Sequence, residues 1–113
     1  LPSDRSETNS DRPAVLRRAV EVWGEDLQVD IAIEELSELT TELARRQRGR
    51  ESPVDIREEI ADVQLCLDQL KLLYGRDAVA VVEQDKLERL DRRVLADSSQ
   101  HDEHLIQNQE AEQ

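Results

Sequence analysis

The sequence predicts an all-α protein: a small antiparallel bundle of four helices, completed by association with further copies of itself. Three observations carry this. The composition favours helix, with only three Gly and three Pro, no Phe or Met, and one Trp and one Tyr among 113 residues. Apolar residues recur at helical spacing through most of the chain, and strand-like alternation is missing. Start and stop signals divide that periodicity into four segments. A single domain of this size buries a modest aliphatic core and gains from oligomerising.

Residues 1–12 are polar and read as a flexible N-terminal tail. The helical domain spans 13–96. Pro13 suits a first helical position, and Val15, Leu16, Ala19, Val20 and Trp23 follow at helical spacing until Gly24 ends or bends the helix. A second helix begins near Glu25 or Asp26, acids that suit a helix N-terminus. Its expected apolar stripe is Ala32, Leu36, Leu39 and Leu43, and Arg45, Arg46, Arg48 and Gly49 close it. Ser52-Pro53-Val54-Asp55 starts a third helix, with Ser as cap and Pro at the first position. Ile56, Ile60, Val63, Leu67, Leu70 and Tyr74 are its expected stripe, ended by Gly75. Asp77 can cap a fourth helix carrying Val79, Val82, Leu87, Leu90 and Val94. Residues 97–113 form a polar C-terminal tail, expected to be disordered or loosely helical. The second and third helices make the central hairpin.

The formal charge is −12, from 27 acids and 15 bases. Such a surface repels nucleic-acid polymers and anionic membranes, so neither is an expected partner. No apolar run is long enough to span a bilayer, and no secretory signal pattern is present. The single Cys66 cannot form an internal disulfide, which suits a reducing, cytoplasmic setting.

The chemistry gathers between Asp30 and Tyr74. Glu35 and Glu38 on the second helix, and Glu59 and Asp62 on the third, are pairs of acids three residues apart. At about 100° per residue, each pair shares a helix face. With 27 acids in 113 residues, about six such pairs arise by chance, so placement matters more than spacing. These four border the apolar stripes and have no basic residue at i±4. Glu88 and Asp91, flanked by Lys86, Arg89, Arg92 and Arg93, read as a solvated face instead. Carboxylates bordering a core need compensation. An all-oxygen donor set selects Mg²⁺, with Mn²⁺ as a substitute, over Zn²⁺. A ferritin-like di-iron site wants Glu-x-x-His on its helices, whereas the only histidines, His101 and His104, fall in the tail. A purely solvated acidic face stays open as the alternative.

Glu34-Glu35-Leu36-Ser37-Glu38, followed after 20 residues by Glu59-Ile60-Ala61-Asp62, resembles the E-E-x-x-E … E-x-x-D signature of the MazG-like, all-α nucleoside triphosphate pyrophosphohydrolases. Trp23-Gly24 ahead of Gln28, Arg48-Gly49 after the first motif, Gln69-Leu70-Lys71, and Lys86-Leu87-Glu88-Arg89-Leu90 also look like short, single-domain bacterial and phage members. The resemblance covers residues 14 to 95. It implies hydrolysis between the α- and β-phosphates of a (deoxy)nucleoside triphosphate, giving monophosphate and pyrophosphate. It implies Glu35, Glu38, Glu59 and Asp62 as Mg²⁺ ligands, and a homodimer or homotetramer whose subunits share the pocket.

Around that ligand set, Glu34 is a candidate to orient or deprotonate the attacking water, or a solvated surface acid. Lys86 and Arg89, with Lys71 behind them, are candidates to hold the phosphates, or surface partners of Glu83, Asp85 and Glu88. Trp23 is a candidate to stack on the base, or a core side chain; Gln28 is a candidate to hydrogen-bond the base. The competing functions are a catalytically silent module that binds nucleotide or metal, and a dimerisation domain whose acids only solubilise it.

Overall fold

The computed structural model describes the backbone of residues 11–112 and the side chains of residues 11–100. The expected flexible tail at 1–12 lies outside the described residues except for Asp11 and Arg12, and so do the side chains of His101 and His104. The protein is all-α, with four helices among the described residues: α1 (Arg12–Trp23), α2 (Glu25–Gln47), α3 (Pro53–Tyr74) and α4 (Arg76–Glu112). Helices α1 to α3 form one compact unit and α4 another.

Local chemistry sets each helix end. The Ala14 N–H donates to Asp11 Oδ1 at 3.3 Å, so Asp11 caps α1 and Pro13 falls inside its first turn. Gly24, at φ 84°, stops α1, and its N–H donates to the Val20 carbonyl at 2.8 Å. A side chain at that φ would be strained. At the end of α2, the Gly49 N–H donates to the Arg46 carbonyl and the Arg50 N–H to the Arg45 carbonyl, at 3.0 and 2.9 Å. This is a Schellman closure, with Gly49 at φ 78° in the position that needs a left-handed residue. Ser52 Oγ accepts from the Asp55 N–H at 3.4 Å, and Pro53 opens α3. Gly75 separates α3 from α4 as expected. Because α4 already starts at Arg76, Asp77 lies in its first turn rather than capping it. Its charge still favours the positive end of the helix dipole. The same helix continues through the polar stretch from Asp97 to Glu112.

Helices α2 and α3 make the main contact of the first unit, with α1 packed against both. The ion pair from Arg12 Nη2 to Asp68 Oδ2, at 2.7 Å, ties α1 to α3, and Lys71 Nζ lies 3.8 Å from the same carboxylate. The side chains withdrawn from solvent include Gln28, Ala32, Glu35, Leu39 and Glu42 on α2, beside the half-buried Val29 and Ile31, and Ile56, Glu59, Val63, Cys66 and Leu70 on α3, beside a half-buried stretch from Asp68 to Leu73. Both sets step by threes and fours, the spacing of a left-handed helix seam.

This corrects the expected core. Leu36 (42% exposed), Leu43 (43%) and Ile60 (51%) face outward, as do Leu67 and Tyr74. Ala32 and Leu39 on α2 and Ile56, Val63 and Leu70 on α3 lie in the seam as expected, while the other members of each stripe fall one step round from it, because two sets of positions on α2 share the same three-four spacing. Only one is turned toward the neighbouring helices, and it is the one that carries acids. On α4, Val82, Leu87, Leu90 and Val94 are also exposed. Among the described residues, no helix is long and apolar enough to cross a membrane.

The Ser52 cap gives a direct test of how α3 starts. Ser52→Ala is expected to cost about 1 kcal/mol, read as a lower urea midpoint at fixed protein concentration, with Ser52→Asp restoring most of it. An unchanged midpoint in the alanine variant would show that this hydrogen bond does not hold the helix start.

Candidate metal centre

The hairpin brings three of the four signature acids together. One carboxylate oxygen from each of Glu35 and Glu38 on α2 and Glu59 on α3 lies within 4.8 Å of the others. Glu35 and Glu59 are half-buried in the seam, whereas Glu38 is exposed at its edge. Asp62 is exposed and stands outside this trio, yet its charge acts on both Glu35 and Glu59. Oε2 of Glu35 and Oε2 of Glu59 are closed off from solvent with no hydrogen-bond partner among the described residues. Buried carboxylate oxygens without partners are costly, so these two atoms call for a cation or a proton.

The electrostatics agree. Burial pushes the Glu35 carboxyl from 4.5 up to about 7, helped by the charges of Glu38, Asp62 and Glu59. Glu59 is raised as well, first by burial and then by Glu38, Asp62 and Glu42. The thiol of Cys66 is buried and faces the same acids. Burial, followed by the charges of Glu35 and Asp62, pushes it up, so it stays neutral. A neutral thiol is a poor ligand, which leaves an oxygen-only donor set. That set fits a hard divalent cation such as Mg²⁺ or Mn²⁺.

The other candidates are scattered. Glu34 is exposed, about 100° round α2 from Glu35. Lys71 pairs with Asp68. Lys86 and Arg89 are exposed on α4, where Arg89 Nη2 lies 3.1 Å from Asp85 Oδ2, one of the surface pairings anticipated for it. Trp23 is 55% exposed at the end of α1, so the reading of it as a core side chain does not hold for this chain. Gln28 is only 2% exposed, and neither its Oε1 nor its Nε2 has a partner among the described residues.

Sequence reasoning missed Glu42. It is 9% exposed, with Oε1 accepting from Arg45 Nη1 at 2.8 Å and Oε2 buried without a partner among the described residues. The signal was available, since Gln28, Glu35 and Glu42 recur every seven residues, with Ala32 and Leu39 between them. That is the repeat of a seam position occupied by polar groups.

The raised Glu35 carboxyl has a measurable sign. The unfolded chain ionises this group near 4.5, while the folded chain keeps its proton up to about 7. Metal-free stability should therefore fall as pH rises through that window. Glu35→Gln cannot ionise there, so its metal-free melting temperature should drop less between pH 5 and pH 8 and exceed the wild-type value at pH 8. Equal pH dependence in both proteins would place the Glu35 carboxylate in an uncrowded, solvated setting.

No family model, curated protein or solved structure matches this chain, so what the acids do has to be read from their own arrangement.

Proposed function

We propose that this chain is a Mg²⁺-dependent nucleoside triphosphate pyrophosphohydrolase of the MazG-like kind, cleaving between the α- and β-phosphates to release a monophosphate and pyrophosphate. The observation that carries the reading is the meeting of Glu35, Glu38 and Glu59 from two helices, with oxygens left unpartnered inside the seam. A face of acids kept only for solubility has no reason to bury two carboxylates beside each other. The E-E-x-x-E … E-x-x-D spacing supports the same reading and supplies its substrate class.

In this reading Glu35, Glu38 and Glu59 would hold the ion, with Asp62, exposed outside the trio, as a fourth donor. When bound, the ion offsets their charge, polarises phosphoryl oxygens and acidifies water. The chain's own part is to orient and to exclude solvent. Glu35 and Glu59 are fixed by burial in the seam, while Glu38, exposed at its edge, stays open to an incoming phosphate. Glu35, which holds its proton below about pH 7, would have to lose it to serve as a ligand. Glu34, exposed one position before, is free to orient the attacking water. Homo-oligomerisation belongs to the same proposal and is supported by the outward-facing Trp23, Leu36, Leu43, Ile60 and Leu67. Burying a Leu or Ile side chain is worth roughly 1.5–3 kcal/mol, so a second copy has much to gain on this surface.

A panel of nucleoside and deoxynucleoside triphosphates with Mg²⁺, assayed separately for pyrophosphate and for orthophosphate, tests the activity. Pyrophosphate release is expected, with Glu38→Gln and Asp62→Asn each lowering kcat/KM by about 100-fold or more. Orthophosphate as the product, or variants as fast as wild type, would refute the assignment. Light scattering on the eluting protein should give a mass above the 13.0 kDa of one chain; a monomer at micromolar concentration would remove the oligomer from the reading.

A further inference from the structure

Helix α2 carries a second stripe. About 100° round from the seam that faces α3, Val29, Ile33, Leu36, Thr40, Leu43 and Gln47 step by the same fours and threes. Past the half-buried Val29 this stripe is uncovered: Ile33 is 58% exposed, and Leu36 and Leu43 stand outward with it. Its hydroxyl needs nothing from water, since Thr40 Oγ1 donates to the Leu36 carbonyl at 2.9 Å. Beside it, Ser37 Oγ donates to the Ile33 carbonyl at 2.7 Å. A hydroxyl bonded to its own helix can be buried without a further partner. Helix α3 repeats the pattern. One residue on from the seam position Glu35 is Leu36, and one on from Glu59 is Ile60; three on are Glu38 and Asp62. A step of one turns the helix about 100° one way, and a step of three about 60° the other. Because α3 runs back along α2 and faces it, equal turns on the two helices lead to the same side of the hairpin. Leu36 and Ile60 therefore share one side, with Leu67 two turns further along α3, and Glu38 and Asp62 share the opposite side.

The flank of this stripe that faces away from α3 is acidic at its start, with Asp26 and Asp30. It is neutral in the middle, at Ser37 and Ala44, and basic at its end, with Arg48. Such an order of charge complements itself when two copies run antiparallel, and sets like against like when they run parallel. We propose that this side of the α2–α3 hairpin docks on the same side of a second copy, with the two α2 helices antiparallel about a twofold axis near residue 38. Ile33 then meets Leu43 of the partner subunit, Leu36 meets Thr40 of the partner subunit, and Arg48 sits between Asp26 of the partner subunit and Asp30 of the partner subunit. Two hairpins joined this way make a four-helix bundle, in which each helix meets two neighbours and needs two faces, as α2 has. The family resemblance implies a pocket shared between subunits; here the second copy covers the side away from Glu38 and Asp62 and leaves the acid cluster to one chain. This rests on the oligomer proposed above, names its face and its order, and holds whether or not the acids bind a metal.

Sedimentation equilibrium on the full chain at low salt tests the face. The wild type is expected at twice the 13.0 kDa of one chain. Leu36→Lys should raise the dimer dissociation constant by about 100-fold, and Arg48→Glu by about tenfold. Adding Asp30→Arg to Arg48→Glu should restore most of the lost affinity. Within one chain these two residues lie about 27 Å apart along the helix, so the rescue reads a contact between chains. Leu65→Lys, at an exposed position about 140° round α3 from Ile60, should leave the constant unchanged. If Leu36→Lys loses its helical circular dichroism, the charge variants decide. A dimer that neither Leu36→Lys nor Arg48→Glu weakens overturns this face and leaves the oligomer standing. Weakening by Arg48→Glu that Asp30→Arg does not rescue overturns the antiparallel order, and a monomeric wild type overturns face and oligomer together.

Discussion

Like charges forced together between two helices set the terms for the rest of this molecule. Glu35, Glu38, Glu42, Glu59 and Asp62 act on one another along the α2–α3 seam. Two unit charges 4 Å apart repel by roughly 4 kcal/mol at an effective dielectric constant near 20, and partial burial adds a desolvation cost. Without a cation the seam relieves this by keeping protons, which is why Glu35 reaches about 7. Cys66, a neutral thiol against the same acids, lines the cluster without adding charge. A proton on these carboxyls therefore favours the folded hairpin, and on the proposed reading a metal ion would compete for the same oxygens.

Putting acids in the seam has a second consequence. Positions that would hold Leu or Ile in an ordinary hairpin hold Gln28, Glu35, Glu42 and Glu59, and several of the larger aliphatic side chains are turned outward. Leu36, Leu43, Ile60 and Leu67 cover the outside of α2 and α3. The residues buried inside are small or moderate in size: Leu16, Ala32, Val63 and Cys66. Packing within one chain is thin where the chemistry sits, and the proposed association of copies recovers the burial that the polar seam gives up. The acids in the seam and the aliphatic side chains on the outside are then two results of one rotation of α2 about its axis.

Helix ends were legible because capping is local. Asp11, Gly24, Gly49 and Ser52 each act on backbone groups within a few residues, so a short stretch of sequence contains both partners. Asp77 was misread for an equally local reason: Gly75 alone makes the break, and α4 begins before an Asp at 77 can cap it. The inward faces were less legible. The set Ala32, Leu36, Leu39, Leu43 and the set Gln28, Ala32, Glu35, Leu39, Glu42 differ by one step, and hydrophobicity favours the wrong one. Trp23 misled in the same way, since a lone aromatic is read as core although here it stands at an exposed helix end.

The sequence by itself determined four helices, their breaks, and two pairs of acids each on one helix face, because all of these follow from spacing along a single strand of chain. Only the tertiary structure decided that Glu35, Glu38 and Glu59 converge, that Asp62 stands outside the trio, and that Glu42 is buried on the same helix. Those outcomes depend on the rotation and register of α2 against α3. That is a property of two helices in contact, and no residue pattern within either one specifies it.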